Sequence, residues 1–299
     1  LENGVGELWS IFNFVLPGYL LSYSAFLRRY QDGTDAEDLR RRISPFLMRR
    51  LKKEVLTELP DKIESVFTAQ MSPEQAKVYE ATMMRLRQRV DSIVKEKGFE
   101  RGRTEVLAAI TQLREICCHP SLVLDDYTGT SGKLDMLLDM LPEAIAKGRR
   151  VLLFSAFTSM LKILRRELDD AGYETMYLDG DTPAQRRVEM AEQFNAGQGQ
   201  IFLISLKAGG TGLNLTGADM VIHYDPWWNP AAEDQATDRA YRIGQTRKVE
   251  VIRLVTHASI EEQVVALGQR KKALFDQLIK PGESMVGGLS PQEIMSLFQ

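Results

Sequence analysis

The 299 residues suffice for about two domains at roughly 100–200 residues each, and a hydrophobic share of 44% with a charged share of 26% fits a globular protein with a sizeable core. A net charge of -3 excludes nucleic-acid binding by bulk positive charge, so any such role needs a local basic patch. The only cysteines, Cys117 and Cys118, are adjacent in an apolar helical pattern; they suit a reduced, intracellular protein and offer neither a disulfide framework nor zinc spacing. No apolar run reaches about 18 residues, no signal peptide opens the chain, and LENGVGELW, without a starting Met, reads as the interior of something longer.

Leu8, Ile11, Phe12 and Val15 lie at helical spacing, and Pro17-Gly18 ends that run. A second helix is expected over Tyr23 to Tyr30, and Asp35 is placed to cap a third. From Arg28 to Lys53 nine basic residues stand against four acids. Such a run is either a solvated helix face or a surface that tracks phosphates. After the Pro60 break, Lys62 to Gln70 reads as a strand. Ser72-Pro73-Glu74 opens a long helix, with Ser as N-cap and Pro in the first turn, running to about Gly98. A polar GFERGR loop and a helix from Glu105 to Cys118 complete a helical hairpin. Its Arg85, Arg87, Arg89, Arg101 and Arg103 form either a second basic patch or an ordinary solvated surface.

From Ser131 onward helices alternate with short apolar strands: VLLF at 151, IFLI at 201 and VIRLV at 251. Continuously apolar strands predict a parallel sheet covered on both faces. Right-handed crossovers then align the strand C-termini on one edge, where ligands bind, and Ser155, Asp179, Ser205 and Asp225 fall at such ends. A charged helix over Ser259 to Ile279, a flexible KPGESMVGG linker and a short LSPQEIMSLF helix close the chain.

The chemistry concentrates between Ser205 and Gln245. Lys207-Ala208-Gly209-Gly210-Thr211-Gly212 follows a strand, and three glycines in four residues let backbone N–H groups turn toward an anion, although glycines also serve plain tight turns. Downstream, a helix is expected over PAAEDQATDRAYRIG; Gln235, Arg239 and Arg242 are spaced i, i+4, i+7 on it, so they share a face, and its two arginines can both reach one polyphosphate. The competing reading is a surface helix salt-bridged by Glu233, Asp234 and Asp238. Thr130-Ser131-Gly132-Lys133-Leu134 imitates the tail of a phosphate loop, but Tyr127 stands where the first Walker glycine belongs and Leu134 where a Mg²⁺-binding Ser or Thr belongs. Neither a Walker A loop nor a DEAH-type Walker B box occurs in the chain. His119, His223 and His257 are scattered, so no metal site is expected.

These segments together carry a resemblance. QATDRAYRIGQ at 235–245 resembles motif VI of the SWI/SNF-type ATPases, the DNA-translocating branch of helicase superfamily two. SLKAGGTGLNLTGADMVIHYDPWWNP resembles their motif V and its extension, VLLFSAF at 151–157 their motif IV, and YLDGDTPAQRRVEMAEQFN the segment after it. PFLMRRLKKEVLTELPDKIE, LREICCHPSL and LENGVGELWSIFNFVLPG resemble the stretches around and between the two motor lobes, so the likeness runs through the whole chain in order. The resemblance implies an α/β RecA-like lobe with a parallel sheet flanked by helices, preceded by a helical insertion. Residues 1–130 would be the helical segment between motor lobes, 131–280 the second RecA-like lobe, and 281–299 a linker and terminal helix. It implies that Arg239 and Arg242 act as arginine fingers on ATP held by the other lobe, that Gly210 and Gly212 line the nucleotide side of the cleft, and that Gln235 couples nucleotide to lobe closure. Ser155, Gly180, Lys207 and Trp228 would face the phosphate backbone of duplex DNA. ATP and Mg²⁺ are then cofactors of the full two-lobe enzyme, with none bound by this chain alone. The first lobe of the same protein, double-stranded DNA and DNA-bound proteins are the partners, in a nucleoid-associated or nuclear setting. The insertion between residues 64 and 131 is short and no histone reader is visible, as in compact microbial members of the family.

Two other readings stay open. One is a non-catalytic DNA-binding or regulatory module that docks on a partner. The other, a nucleotide-binding enzyme using the GGTG turn as a Rossmann loop, is opposed by the lack of GxGxxG after a first strand.

Overall fold

The computed structural model describes residues 5–30, 35–46, 59–208, 212–227 and 230–278. Gly209, Gly210, Thr211, Trp228 and Asn229, the RRLKKEV stretch, the KPGESMVGG linker and the terminal helix lie outside the described residues. Contacts divide the described chain into two units, one spanning Glu58–Ala266 and one holding the residues before it and after it.

The N-terminal helices are α1 (Val5–Val15), α2 (Tyr23–Tyr30) and α3 (Ala36–Ile43). They bury a small core of Leu8, Phe12, Leu20, Phe26, Tyr30, Leu39 and Ile43. Of the apolar positions expected in α1, Leu8 and Phe12 are buried, whereas Ile11 and Val15 are exposed. Asp35 stands at the N-cap of α3 but makes no capping bond; its carboxylate accepts from Arg29 Nε at 2.7 Å. A charge-assisted bond to guanidinium outcompetes a neutral backbone N–H for that oxygen.

The larger unit is built on a sheet of six parallel strands among the described residues. They are β1 (Lys62–Ala69), β2 (Val151–Ser155), β3 (Thr175–Leu178), β4 (Ile201–Ser205), β5 (Met220–His223) and β6 (Val249–Thr256), in the order β1-β6-β5-β2-β4-β3. Strands β2 and β4 are buried throughout, and β5 likewise. Two apolar clusters explain why. One joins Leu137, Leu141, Leu161 and Leu164 to Val151, Leu153, Leu203 and Ile222; the other joins Phe194, Leu215 and Ala240 to Leu152, Phe202, Ile204 and Val221. Neighbouring residues of one strand thus feed opposite faces, and both faces are covered.

The covering helices are α6 (Gly132–Ala146), α7 (Thr158–Asp170), α8 (Ala184–Asn195) and α9 (Pro230–Thr237), followed by α10 (Ile260–Leu278). The hairpin is α4 (Pro73–Lys97) and α5 (Phe99–Cys118). Ser72 caps α4 as expected, its Oγ accepting from Gln75 N at 3.2 Å. The GFERGR loop expected from sequence is not a loop: the reversal is made at Gly98, with φ of 74°, and helix resumes at Phe99. A glycine in the left-handed region turns the chain within one residue, so no polar connector is needed.

Strand β1 precedes the hairpin yet belongs to the sheet. It pairs with β6 from Lys62↔Val249 to Ala69↔Thr256. The stretch before residue 131 therefore supplies an edge strand as well as helices. No helix among the described residues is long and apolar enough to cross a membrane.

Candidate functional site

All six strands run the same way, so their ends, Ala69, Ser155, Leu178, Ser205, His223 and Thr256, share one edge of the sheet. The chain winds outward from β2 in both directions, which makes the β2/β5 boundary the switch point where open sheets hold ligands. Here the protein's own side chains fill it. Ser155 donates its hydroxyl to Asp225, whose carboxylate also accepts from Ala156 N at 3.2 Å. Arg114, from α5, reaches the same carboxylate at 3.3 Å and donates to Pro226 O at 2.7 Å. Ser155 is thus buried and engaged rather than offered to solvent.

The second half of the site is the meeting of the glycine turn with the arginine segment. Helix α9 stops at Thr237, so Arg239 and Arg242 do not continue the helix of Gln235. The i, i+4, i+7 spacing therefore does not define their geometry. The backbone is diverted because its groups bond elsewhere: Arg239 O accepts from Leu215 N at 2.9 Å, and Gln245 Nε2 donates to Ala240 O, Thr216 O and Ala218 O at 3.0, 3.2 and 2.7 Å. Arg242 Nη1 donates to Gly212 O at 3.3 Å, which ties the arginine segment to the end of the glycine turn. Gly212 has φ of 65°. Gln235 is exposed on α9.

Arg239 differs from its neighbours. The residue is 4% exposed, yet its Nε and Nη1 have no hydrogen-bond partner. Burial, and then the nearby Arg242, lower its guanidinium to about 10. Buried donors left unpaired are costly and rare. A guanidinium so placed matches the oxygens of a phosphate.

The remaining sequence-derived positions are spread along the edge. Lys207 is exposed just past β4. Gly180 is exposed past β3, in a turn organised by Asp179, which accepts from Asp181 N at 3.0 Å and from Tyr177 Oη at 2.9 Å. Gly210 and Trp228 lie outside the described residues. The false phosphate loop is structural. Lys133 is fully buried and donates to Glu261 Oε1 at 2.7 Å and Tyr224 O at 2.9 Å, while Ser131 caps α6.

Two residues were missed by the sequence reading, Arg114 and Arg253, and Glu233, read there as a surface salt-bridge partner, is buried. Arg253 joins Glu233 at 2.7 Å and Glu64 at 2.8 Å, and Glu233 Oε1 accepts from Trp227 N at 2.7 Å. Burial alone would raise the Glu64 carboxyl, but hydrogen bonds from Lys62 and Arg253 outweigh it and hold it down at about 2. Arg114 had a signal. It lies four residues after Ile110 on the stripe that buries Val106, Ile110, Leu113 and Cys117, and a cation on an apolar stripe calls for a buried partner.

Comparison with known proteins bears directly on this edge. The family described as SNF2-related domain matches residues 1–122, and the helicase conserved C-terminal domain matches residues 132–244. The chain belongs to the SWI/SNF-type ATPases of helicase superfamily two. Its similarity to YwqA of Bacillus subtilis, which carries the provisional name ATP-dependent helicase/translocase, is 39% identity over 313 residues, covering 100% of this chain and 33% of that protein. This SWI/SNF-type chain thus spans about a third of that curated relative's length. Among solved structures, it is 35% identical to the Sulfolobus solfataricus SWI2/SNF2 ATPase core in complex with dsDNA, with a TM-score of 0.63, covering 92% of this chain and 60% of that one. It is 29% identical to the C-terminal domain of a Sulfolobus solfataricus SWI2/SNF2 ATPase, with a TM-score of 0.62, covering 79% of this chain and 98% of that domain. The parallel sheet flanked by helices is the RecA-like fold of those ATPase domains.

Proposed function

We propose that this chain is the helical segment and second RecA-like lobe of an ATP-dependent translocase on double-stranded DNA. Residues 1–130 lie between the motor lobes and lend β1 to the sheet, 131–280 form the rest of the lobe, and 281–299 are linker and terminal helix. Arg239 and Arg242 act as arginine fingers on ATP held by the first lobe of the same protein. Gly210, Gly212 and Gln235 serve the nucleotide side of the cleft, and Gly180, Lys207 and Trp228 the DNA side, with Ser155, buried and bonded to Asp225, supporting that edge from within. The observation that carries the reading is the buried Arg239 side chain with two unpaired nitrogens, on the segment that Arg242 ties to Gly212. The similarity to a Sulfolobus core solved in complex with dsDNA supports the choice of partner.

ATP supplies a phosphoryl group whose charge spreads over its oxygens during transfer, and a guanidinium positioned there stabilises that charge by roughly 10³–10⁵ in rate. Arg239 fits this task because its donors are desolvated and two of them are not spent on other acceptors. Mg²⁺ accompanies ATP in the two-lobe enzyme. Among the described residues no His, Cys, Asp or Glu group converges to hold a metal ion, and no residue is assigned to it.

The test uses the full-length protein. Arg239→Ala and Arg242→Ala should each lower DNA-stimulated phosphate release by about 10³-fold or more, with nucleotide binding nearly kept. Near-normal turnover would remove the finger role. Arg239→Leu separates function from structure: deleting an unpaired buried cation should leave the urea midpoint unchanged or raised while turnover is lost. A lowered midpoint would mean that Arg239 is structural.

A further inference from the structure

We infer that Arg114 is a positioning residue that fixes the elbow after β5 and couples DNA contact to nucleotide turnover. The inference rests on the translocase reading. The elbow is the segment from Tyr224 to Trp227, and buried groups from other elements grip it at successive positions. Tyr224 N donates to Phe154 O at 2.9 Å, and Tyr224 O accepts from Lys133 Nζ at 2.9 Å. The Asp225 carboxylate holds Ser155, Ala156 N and Arg114. Pro226 O accepts from Arg114 Nη2 at 2.7 Å. Trp227 N donates to Glu233 Oε1 at 2.7 Å. The Arg114 guanidinium also lies 5.2 Å from the ring centroids of both Phe157 and Trp227, so it is flanked by two aromatic side chains.

Arg114 is the member of this set that comes from the helical hairpin. It is 2% exposed and faces Asp225, which is also buried. A cation flanked by two rings and bonded to both a carbonyl and a carboxylate has little freedom to adjust. The elbow in turn leads into two functional segments. Trp228, the residue assigned to the DNA side, is next in sequence. Helix α9 begins two residues later, at Pro230, and ends at Thr237, two residues before Arg239. The eight-residue α9 is therefore a short rod between the elbow and the arginine segment, and Glu233 on it already bonds the elbow backbone. The arginine segment has its own anchors, Arg239 O on Leu215 N and Gln245 Nε2 on Ala218 O and Ala240 O, so a displaced elbow leaves it in place and loosens only its link to the elbow through α9. An Arg114 defect should then appear in how DNA and turnover are linked rather than in nucleotide chemistry itself.

The experiment compares full-length wild type with Arg114→Gln, Arg114→Lys and Trp227→Leu. For Arg114→Gln, the duplex DNA concentration giving half-maximal ATPase stimulation should rise about tenfold, as for misplacement by a fraction of an ångström to one ångström at a distance. Base pairs travelled per ATP should fall, while DNA-independent turnover and the KM for ATP stay within about twofold. Arg114→Lys should not restore the wild-type value, because an ammonium cannot stack between rings and bridge Pro226 and Asp225 together. Trp227→Leu, which leaves the Pro226 bond in place, should shift DNA half-saturation in the same direction by less, and the Arg114→Gln/Trp227→Leu double variant should be no worse than Arg114→Gln alone. Unchanged half-saturation and travel per ATP in Arg114→Gln and Trp227→Leu would overturn the proposal. So would a parallel loss of DNA-independent turnover and thermal stability, which marks a merely structural residue. A wild-type enzyme that duplex DNA fails to stimulate would overturn the translocase reading instead.

Discussion

Arg114 and Arg239 are both buried guanidinium groups, and their surroundings separate their duties. Arg114 is met by Asp225, Pro226 O and two aromatic rings, whereas two nitrogens of Arg239 meet no acceptor. His223 is a third buried polar residue with an internal role. Its ring nitrogen Nε2 is 2.9 Å from Thr237 Oγ1, at the end of α9, and the ring stacks on Phe154. Burial, and then Arg253, bring its imidazole down to about 3. The folded state thus binds the proton less well than the unfolded chain, whose histidine titrates near 6.5. The stabilisation is complete above about pH 6.5 and is lost as pH falls toward 3, by at most about 1.4 kcal/mol per pH unit. His223→Gln, which keeps a hydrogen bond available to Thr237, should flatten the fall in urea midpoint between about pH 6.5 and 4.5. His119, also lowered by burial, keeps its share of the slope in that variant. An unchanged pH profile would exclude His223 as the source.

At the scale of elements, the joins decide more than the elements. The base of the hairpin is sewn to α6 by Gln75, whose Nε2 donates to Ile116 O at 2.9 Å and whose Oε1 accepts from Gly132 N at 2.9 Å. Gly132 is required for a packing reason. A Cβ there would sit 1.7 Å from Gln70 O, which is backbone and cannot yield as a side chain would. Gly132→Ala should destabilise the Glu58–Ala266 unit by about 3 kcal/mol or more, a magnitude reserved for overpacking against rigid atoms. Thermal or urea unfolding checks it, and a loss under about 1 kcal/mol would show that α6 can shift. The glycine that imitates a phosphate loop is therefore explained by its approach to the end of β1. Helix α9 teaches the converse. Its sequence pattern continues through Arg242, but the carbonyl of Arg239 is taken by Leu215, so the helix ends five residues sooner than the pattern does.

At the scale of the molecule, the proposed arginine fingers stand in a chain whose sequence holds no Walker loop for phosphates. The isolated 299 residues should release no phosphate from ATP above background, with or without duplex DNA, because no Walker A loop is present. DNA-stimulated release from the purified chain would refute this. The same preparation should still bind duplex DNA through Lys207 and the edge around it, with log affinity falling by about 0.9 per log unit of salt for each phosphate contacted. A slope shallower than about -1 would argue for a module whose partner is not DNA.

The sequence by itself determined the fold class, the parallel sheet and the family. The first two follow from local period, with continuously apolar strands and helices between them, and the family from the resemblance of its motif blocks in order. Gly212, Arg239 and Arg242 could be named from spacing because turn glycines and clustered arginines are chemically conspicuous. Only the tertiary structure decided which of them are engaged. Ser155 and Asp225 satisfy each other, Lys133 is spent on Glu261, and Arg239 is left unpaired. It also revealed that Arg114 reaches an elbow 111 residues away in sequence and that β1 closes the sheet beside β6. Hydrogen bonding is a competition among all groups brought within about 3 Å. Its outcome depends on neighbours remote in the chain, which no local pattern records.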